Sequence, residues 1–408
     1  MKHIVAALTL SPLLAISAPS FGQPLTVSPH TFAATGSTAT PSSYGRFAPN
    51  PSLRTRLDFT VWDEALKEMV IYTGPSLRER AVRPAPGVGT RLVLGHTSPY
   101  RLEGNKVIFE GIDGEFEDVI DSYVDDLVAI GNRINVSALP RDEQLSYWLN
   151  LHNALVIQGI AQNYPTTNPS RIKGADGLSF HETKRVTIAG VPLSLRNIRQ
   201  DVVYANWDNP LVIYGFFHGD LGSPSIQRKA FTAETVWDTL QYSGKEFAGS
   251  LRGIEIYGDK PRVSRHYEDA APYFFAGDFD HEVRTHIAAL VEDDLRDRFL
   301  STDTPIRVAR YATDIADMTR GTNNRTQHGY VMTMDSAVGL RPVSSTMAQS
   351  IDETMQKMIK VRRRGLFSTV TIEDIQTVPQ EDRLSSGLSI EMELPDDAAE
   401  DGVNAAPE

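Results

Sequence analysis

Tyr147-Trp148-Leu149-Asn150-Leu151-His152-Asn153-Ala154-Leu155-Val156-Ile157 is apolar at almost every position and sits between clear helix boundaries. Pro140 suits a first helical turn, Asp142 and Glu143 complement the positive end of the helix dipole, and Pro165 ends the run. A helix that is apolar all round has no solvent face, so the segment Pro140 to Tyr164 is expected to cross the centre of the fold. The rest of the chain is read outward from it.

Upstream, Asp58 or Thr60 can cap a helix that carries Trp62, Ala65, Leu66 and Met69 at helical spacing and closes at Gly74-Pro75. A second amphipathic helix follows, with Phe116, Val119, Ile120, Tyr123, Leu127 and Ile130 on one stripe, an acidic outer face, and Gly131 as its stop. Downstream, Lys184 to Leu195 alternates around Ala189-Gly190 as a hairpin does. Leu211 to Phe217 is a continuous apolar run between Asn209-Pro210 and His218-Gly219, and reads as a short buried strand with a loop at its end. Helices return at Ala233 to Gly249 and Phe279 to Phe299. A last helix, capped by Ser344 or Ser345, carries Met347, Ile351, Met355, Met358 and Ile359, with Lys360 to Arg364 and Gly365 at its end. The expected class is α+β: one helix-rich domain with a small inserted sheet and a C-terminal helical extension.

The ends differ in character. Ile4 to Ala18 is apolar, follows Lys2, and gives way to small residues, so residues 1–22 read as a signal peptide and the protein as exported, periplasmic or secreted. The run falls short of the roughly 20 residues a spanning helix needs, so no membrane span is expected after cleavage. Residues 23–55 read as a disordered linker, 56–318 as the domain, 319–378 as an extension holding one helix, and 379–408 as an acidic disordered tail.

With 408 residues, 41% of them hydrophobic, the chain can bury a substantial core. Its formal net charge of -12 argues against nucleic acid or an anionic membrane surface as a partner. It contains no cysteine, which removes disulfides, thiolate metal sites and a cysteine nucleophile. Gly87-Val88-Gly89 lacks the strand and helix of a phosphate loop, and no cofactor is expected.

Two constellations can carry chemistry. Ser146, Asn150 and Asn153 share one face of the central helix, and amides placed there must find partners. They either clamp neighbouring backbone, the commoner use, or floor a binding site. The second is His218-Gly219-Asp220-Leu221-Gly222-Ser223-Pro224, where Ser223 and Pro224 can open a short helix. His218, Asp220 and Ser223 are the types for a general base, its orienting carboxylate and a hydroxyl nucleophile, although a triad so compact in sequence is unusual. His218 and Asp220 with His152 or His181 show no recognised ligand spacing, so no metal site is assigned. His266, near a helix start, is read as a local cap or salt-bridge residue.

Ordered blocks across Arg56 to Met318 resemble the domain of unknown function 547 family. They are Leu57 to Trp62, Tyr147 to Leu155, Ile188-Ala189-Gly190 with Leu193-Ser194-Leu195-Arg196-Asn197-Ile198, Asn209-Pro210, Leu221 to Pro224, and Val263-Ser264-Arg265 before Tyr267. The resemblance implies a cysteine after the buried strand, a second before the proline, and a Glu-His pair after Leu-Ser-Leu. Here His218 and Ser223 stand at the cysteine positions and Arg199 and Gln200 at the Glu-His positions, with Leu211 and Ile213 where the family tends to have arginine and histidine. A Cys-His mechanism is therefore closed to this chain. The expectation is an exported, non-catalytic protein that binds a small molecule or peptide or acts as a scaffold. The alternative is a hydrolase rebuilt around His218, Asp220 and Ser223.

Overall fold

The apolar stretch forms helix α3 (Arg141–Ala161), in which every residue from Glu143 to Ala161 except Gln158 is buried. The computed structural model describes residues 43–83, 96–309, 311–321, 330–335 and 339–365. The segment read as a signal peptide, the expected linker up to residue 42 and the segment read as an acidic tail lie outside the described residues.

Around α3 the expected elements assemble. Helix α1 (Thr60–Met69) begins where Asp58 Oδ1 takes the Thr60 amide at 2.9 Å, and it buries Trp62, Ala65, Leu66 and Met69. Trp62 stacks on Tyr123 of α2 (Glu115–Arg133), with ring centroids 5.0 Å apart. Helix α2 runs two residues past Gly131, whose role is packing: a Cβ there would strike the Tyr147 hydroxyl and Ile188. Strands β1 (Val70–Ile71) and β2 (Lys106–Val107) pair antiparallel. The hairpin of β3 (Lys184–Ile188) and β4 (Val191–Ser194) turns through Ala189 and Gly190, both at positive φ, as a two-residue primed turn requires.

Four further helices follow: α4 (Val236–Gly249), α5 (Arg265–Phe274), α6 (Phe279–Ala288) and α7 (Asp293–Leu300). The run read as one helix from Phe279 to Phe299 is thus divided after Ala288. Ser264 caps α5, accepting from the His266 amide at 3.2 Å. Strands β5 (Ile254–Tyr257) and β6 (Lys260–Val263) form an antiparallel pair that β7 (Arg307–Val308) extends in parallel. Strands β8 (Tyr330–Asp335) and β9 (Gly339–Ser344) make a separate hairpin. Small sheets set among helices make the fold α+β, as expected from the sequence.

Three local readings differ. Pro210–Gly215 is a 3-10 helix rather than a strand, because Asn209 accepts from the Leu211 amide at 3.0 Å and Pro210 fixes a helical φ in the first turn. Ser223 opens no helix; it sits in a turn closed by Asp220. The chain also enters the core before residue 56. Phe47 is buried edge-on against Trp148, and the amides of Asn50, Ser52 and Leu53 bond the carbonyls of Ser137 and Ala138. One large aromatic residue anchors a segment whose composition otherwise reads as linker.

Helix α8 (Ser345–Arg363) docks on the domain. Arg101 grips Glu353 with two bonds of 2.7 Å, Lys357 Nζ donates to the Leu102 carbonyl at 2.6 Å, and Val361 is fully buried. Among the described residues no helix is long and apolar enough to cross a membrane.

Candidate histidine cluster at His218

The loop after the 3-10 turn carries His218, Asp220 and Ser223 into the interior, where each is nearly or wholly buried. Two glycines let it pass. Gly219 has φ +88, and a Cβ would strike Ile160 of α3. A Cβ on Gly222 would lie 2.9 Å from the Tyr311 ring and from the Ala312 carbonyl. The segment 311–317 lies against this loop through Leu221 N to Asp314 O at 2.8 Å and Ala316 N to Gly219 O at 3.0 Å.

That contact supplies a residue the sequence reading did not select. The Tyr311 hydroxyl donates to Asp220 Oδ1 at 2.9 Å, and the same oxygen faces His218 Nδ1 at 3.1 Å. Since its proton goes to the carboxylate, the Tyr311 oxygen accepts from His218, which sets the proton on Nδ1 and leaves Nε2 a bare lone pair. His218 Nε2 is sealed from solvent and meets no hydrogen-bond partner among the described residues. Burial pushes the Asp220 carboxyl up to about 7, against the lowering pull of its bonds to Tyr311 and Ser223.

Ser223 does not face the imidazole ring. Its hydroxyl donates to the Asp220 carbonyl at 3.0 Å and accepts from the His218 main-chain N–H at 3.1 Å, while its own amide donates to Asp220 Oδ1 at 3.1 Å. The three residues converge, but in a turn-closing network. His218 bonds Tyr311 where a triad would have it bond Ser223.

Asn150 and Asn153 are both spent on main chain. Asn150 exchanges bonds with the carbonyl and amide of Phe231, at 2.8 and 3.0 Å. Asn153 donates to Gly215 O at 2.9 Å and accepts from Phe217 N at 3.1 Å, fixing the backbone that leads into His218. They hold the loops of the site.

Three more imidazoles surround His218: His181, His266 and His152, at ring-centroid distances of 5.1, 5.5 and 6.4 Å. Asn153 Oδ1 faces His152 Nδ1 at 3.2 Å, so His152 Nε2 is free to accept from Arg199 Nη1 at 3.4 Å. His266, buried rather than capping, reaches the Ile213 carbonyl through Nε2 at 3.0 Å. Desolvation first, and the Arg199 charge second, push His152 and His218 well below the usual histidine range and hold His181 at about 3. Burial does the same to His266, also at about 3. All four are neutral at pH 7. Among the described residues no three His, Asp or Glu side chains are arranged to hold a metal. A hollow of about 400 Å³ lined by Arg54, Arg56 and Arg141, and one of about 10 Å³ beneath α8, include none of the cluster.

Residues 136–248 match the model of a protein family described as protein of unknown function, DUF547. This segment belongs to that family. It contains α3, the β3–β4 hairpin and the loop of His218, whereas His266 and Tyr311 come from outside it. No curated protein and no solved structure matches the chain.

Proposed function

We propose that the protein is exported and works without catalysis, as a ligand-binding or scaffolding member of its family, with the histidine cluster as its binding centre. One observation carries the non-catalytic half: the Ser223 hydroxyl is consumed by the main chain of its own turn, and among the described residues nothing bonds the sealed His218 Nε2. Export is supported by the charged and apolar start of the chain, Lys2 followed by Ile4 to Ala18. The ligand is a small molecule or a peptide, which has to reach a cluster whose imidazoles lie almost wholly inside the fold. Cell fractionation with the mass of the mature chain tests export; the expected mature start is near Gln23, and an intact Met1 in the cytoplasm contradicts it. Incubation with ester and peptide substrates tests the rest, and no turnover is expected.

A hydrolytic reading draws on the chain Asp220, Tyr311, His218, which orients an imidazole with its lone pair free, as a general base requires. Turnover by the wild type that disappears in His218→Gln replaces the binding reading with this one.

A further inference from the structure

Arg199 is a buried guanidinium with no salt bridge, although the Asp269 carboxylate lies near enough to feel its charge. Its residue is 9% exposed, and among the described residues no carboxylate lies within ion-pair distance of it. The one bond it makes is the long contact from Nη1 to His152 Nε2 at 3.4 Å. Arginine stays charged in proteins and has five N–H donors, so most of its hydrogen-bonding capacity is open to a ligand, and none of its nitrogens is among the sealed, unpartnered polar atoms of the chain. Two other buried arginines are paired with carboxylates, Arg252 with Glu246 at 2.5 Å and Arg101 with Glu353 at 2.7 Å. Arg199 stands in Asn197–Tyr204, wound as a π-helix, a rare geometry that recurs at functional sites. Its neighbour His181 adds an Nδ1 that is buried and unpartnered.

We infer that Arg199 anchors an oxyanion site, in which a single carboxylate or phosphoryl group of a small ligand occupies the guanidinium edge that His152 leaves open. This rests on the binding reading above and names the ligand's chemistry. The planar fork matches two oxygens of either group, and a neutral imidazole can add a donor without adding charge. Nearby Arg196 offers no such site: it is exposed, bonds Gln200 and faces Glu182 at 3.5 Å.

The test is calorimetric titration of the full chain with sodium acetate and, separately, inorganic phosphate, at constant ionic strength in chloride. The wild type is expected to bind at least one of them saturably at one site, and the preferred ion tells a carboxylate ligand from a phosphorylated one. Arg199→Gln abolishes the binding, Arg199→Lys weakens it about tenfold by losing one of two charge-assisted bonds, and Arg196→Gln leaves it unchanged. Absence of saturable wild-type binding of either ion overturns the assignment, whether or not the Gln variant folds, and so does binding that survives in Arg199→Gln. Turnover dependent on His218 together with anion binding would refute the non-catalytic reading and leave the oxyanion site standing.

Discussion

Acidification from pH 7 to pH 5 acts on the histidine cluster in a direction that its burial fixes. His152, His181, His218 and His266 all have folded pKa values held far below the ordinary 6.5, chiefly by desolvation. Below that value the unfolded chain binds protons that the folded chain refuses. Stability from these groups is therefore whole above about pH 6.5 and lost as pH falls. At pH 5 each unfolded imidazole gains about 2 kcal/mol from protonation, and the four together about 8 kcal/mol. Asp220 works against this. With a folded value of about 7 against 3.8, it takes up its proton first in the folded state. The same fall in pH returns about 2 kcal/mol through that carboxyl, leaving a net loss of roughly 6 kcal/mol. That is a large part of a typical domain's stability. Urea unfolding at the two pH values, followed by circular dichroism, should show a much lower midpoint at pH 5. In His266→Gln the pH slope should drop by one proton, about 1.4 kcal/mol per pH unit. A midpoint at pH 5 equal to or above that at pH 7 would refute the reasoning, because it would mean that the imidazoles accept protons in the folded state.

Two further outcomes test how the site is held. Asn153→Ala leaves the Gly215 carbonyl and Phe217 amide without their partner, and at about 1–3 kcal/mol for each buried group should cost roughly 2–6 kcal/mol in urea unfolding. Glu353→Ala strands the buried Arg101 and should release α8 at a cost of about 3–5 kcal/mol, read as faster proteolytic loss of the C-terminal segment with the rest of the chain resistant.

The elements legible in the sequence are those with a strong period or a strong stop. Helix α3 is announced by Pro140, the acidic first turn and Pro165, and the β3–β4 hairpin by alternation around Ala189-Gly190. Leu211 to Phe217 was ambiguous for a physical reason: a short apolar run buries equally well as strand or helical turn, and Asn209-Pro210 tipped it to the turn. Gly131 carries the same composition whether it ends a helix or admits the Tyr147 hydroxyl, and only the packing tells which.

The site was legible in part. His218, Asp220 and Ser223 meet in one hydrogen-bonded turn and Asn153 fixes the backbone that leads into it, whereas Asn150 is spent on the main chain of Phe231. Tyr311, 93 residues beyond His218, carried no local signal, though Gly222 hinted that something approaches closely. Arg199 was visible only as a departure from the family's residue type. Its place beside the imidazoles with no salt-bridge partner is a property of three dimensions, set by the π-helix that carries it.

The central claim, a buried and uncharged His218 poised by Tyr311 with its other nitrogen bare, is tested most directly by two-bond nitrogen–proton correlation spectra of the histidine-labelled protein. The account predicts that His218 carries its proton on Nδ1 at pH 7 and remains neutral to pH 5. A resonance that titrates near pH 6.5, or a proton found on Nε2, would contradict it.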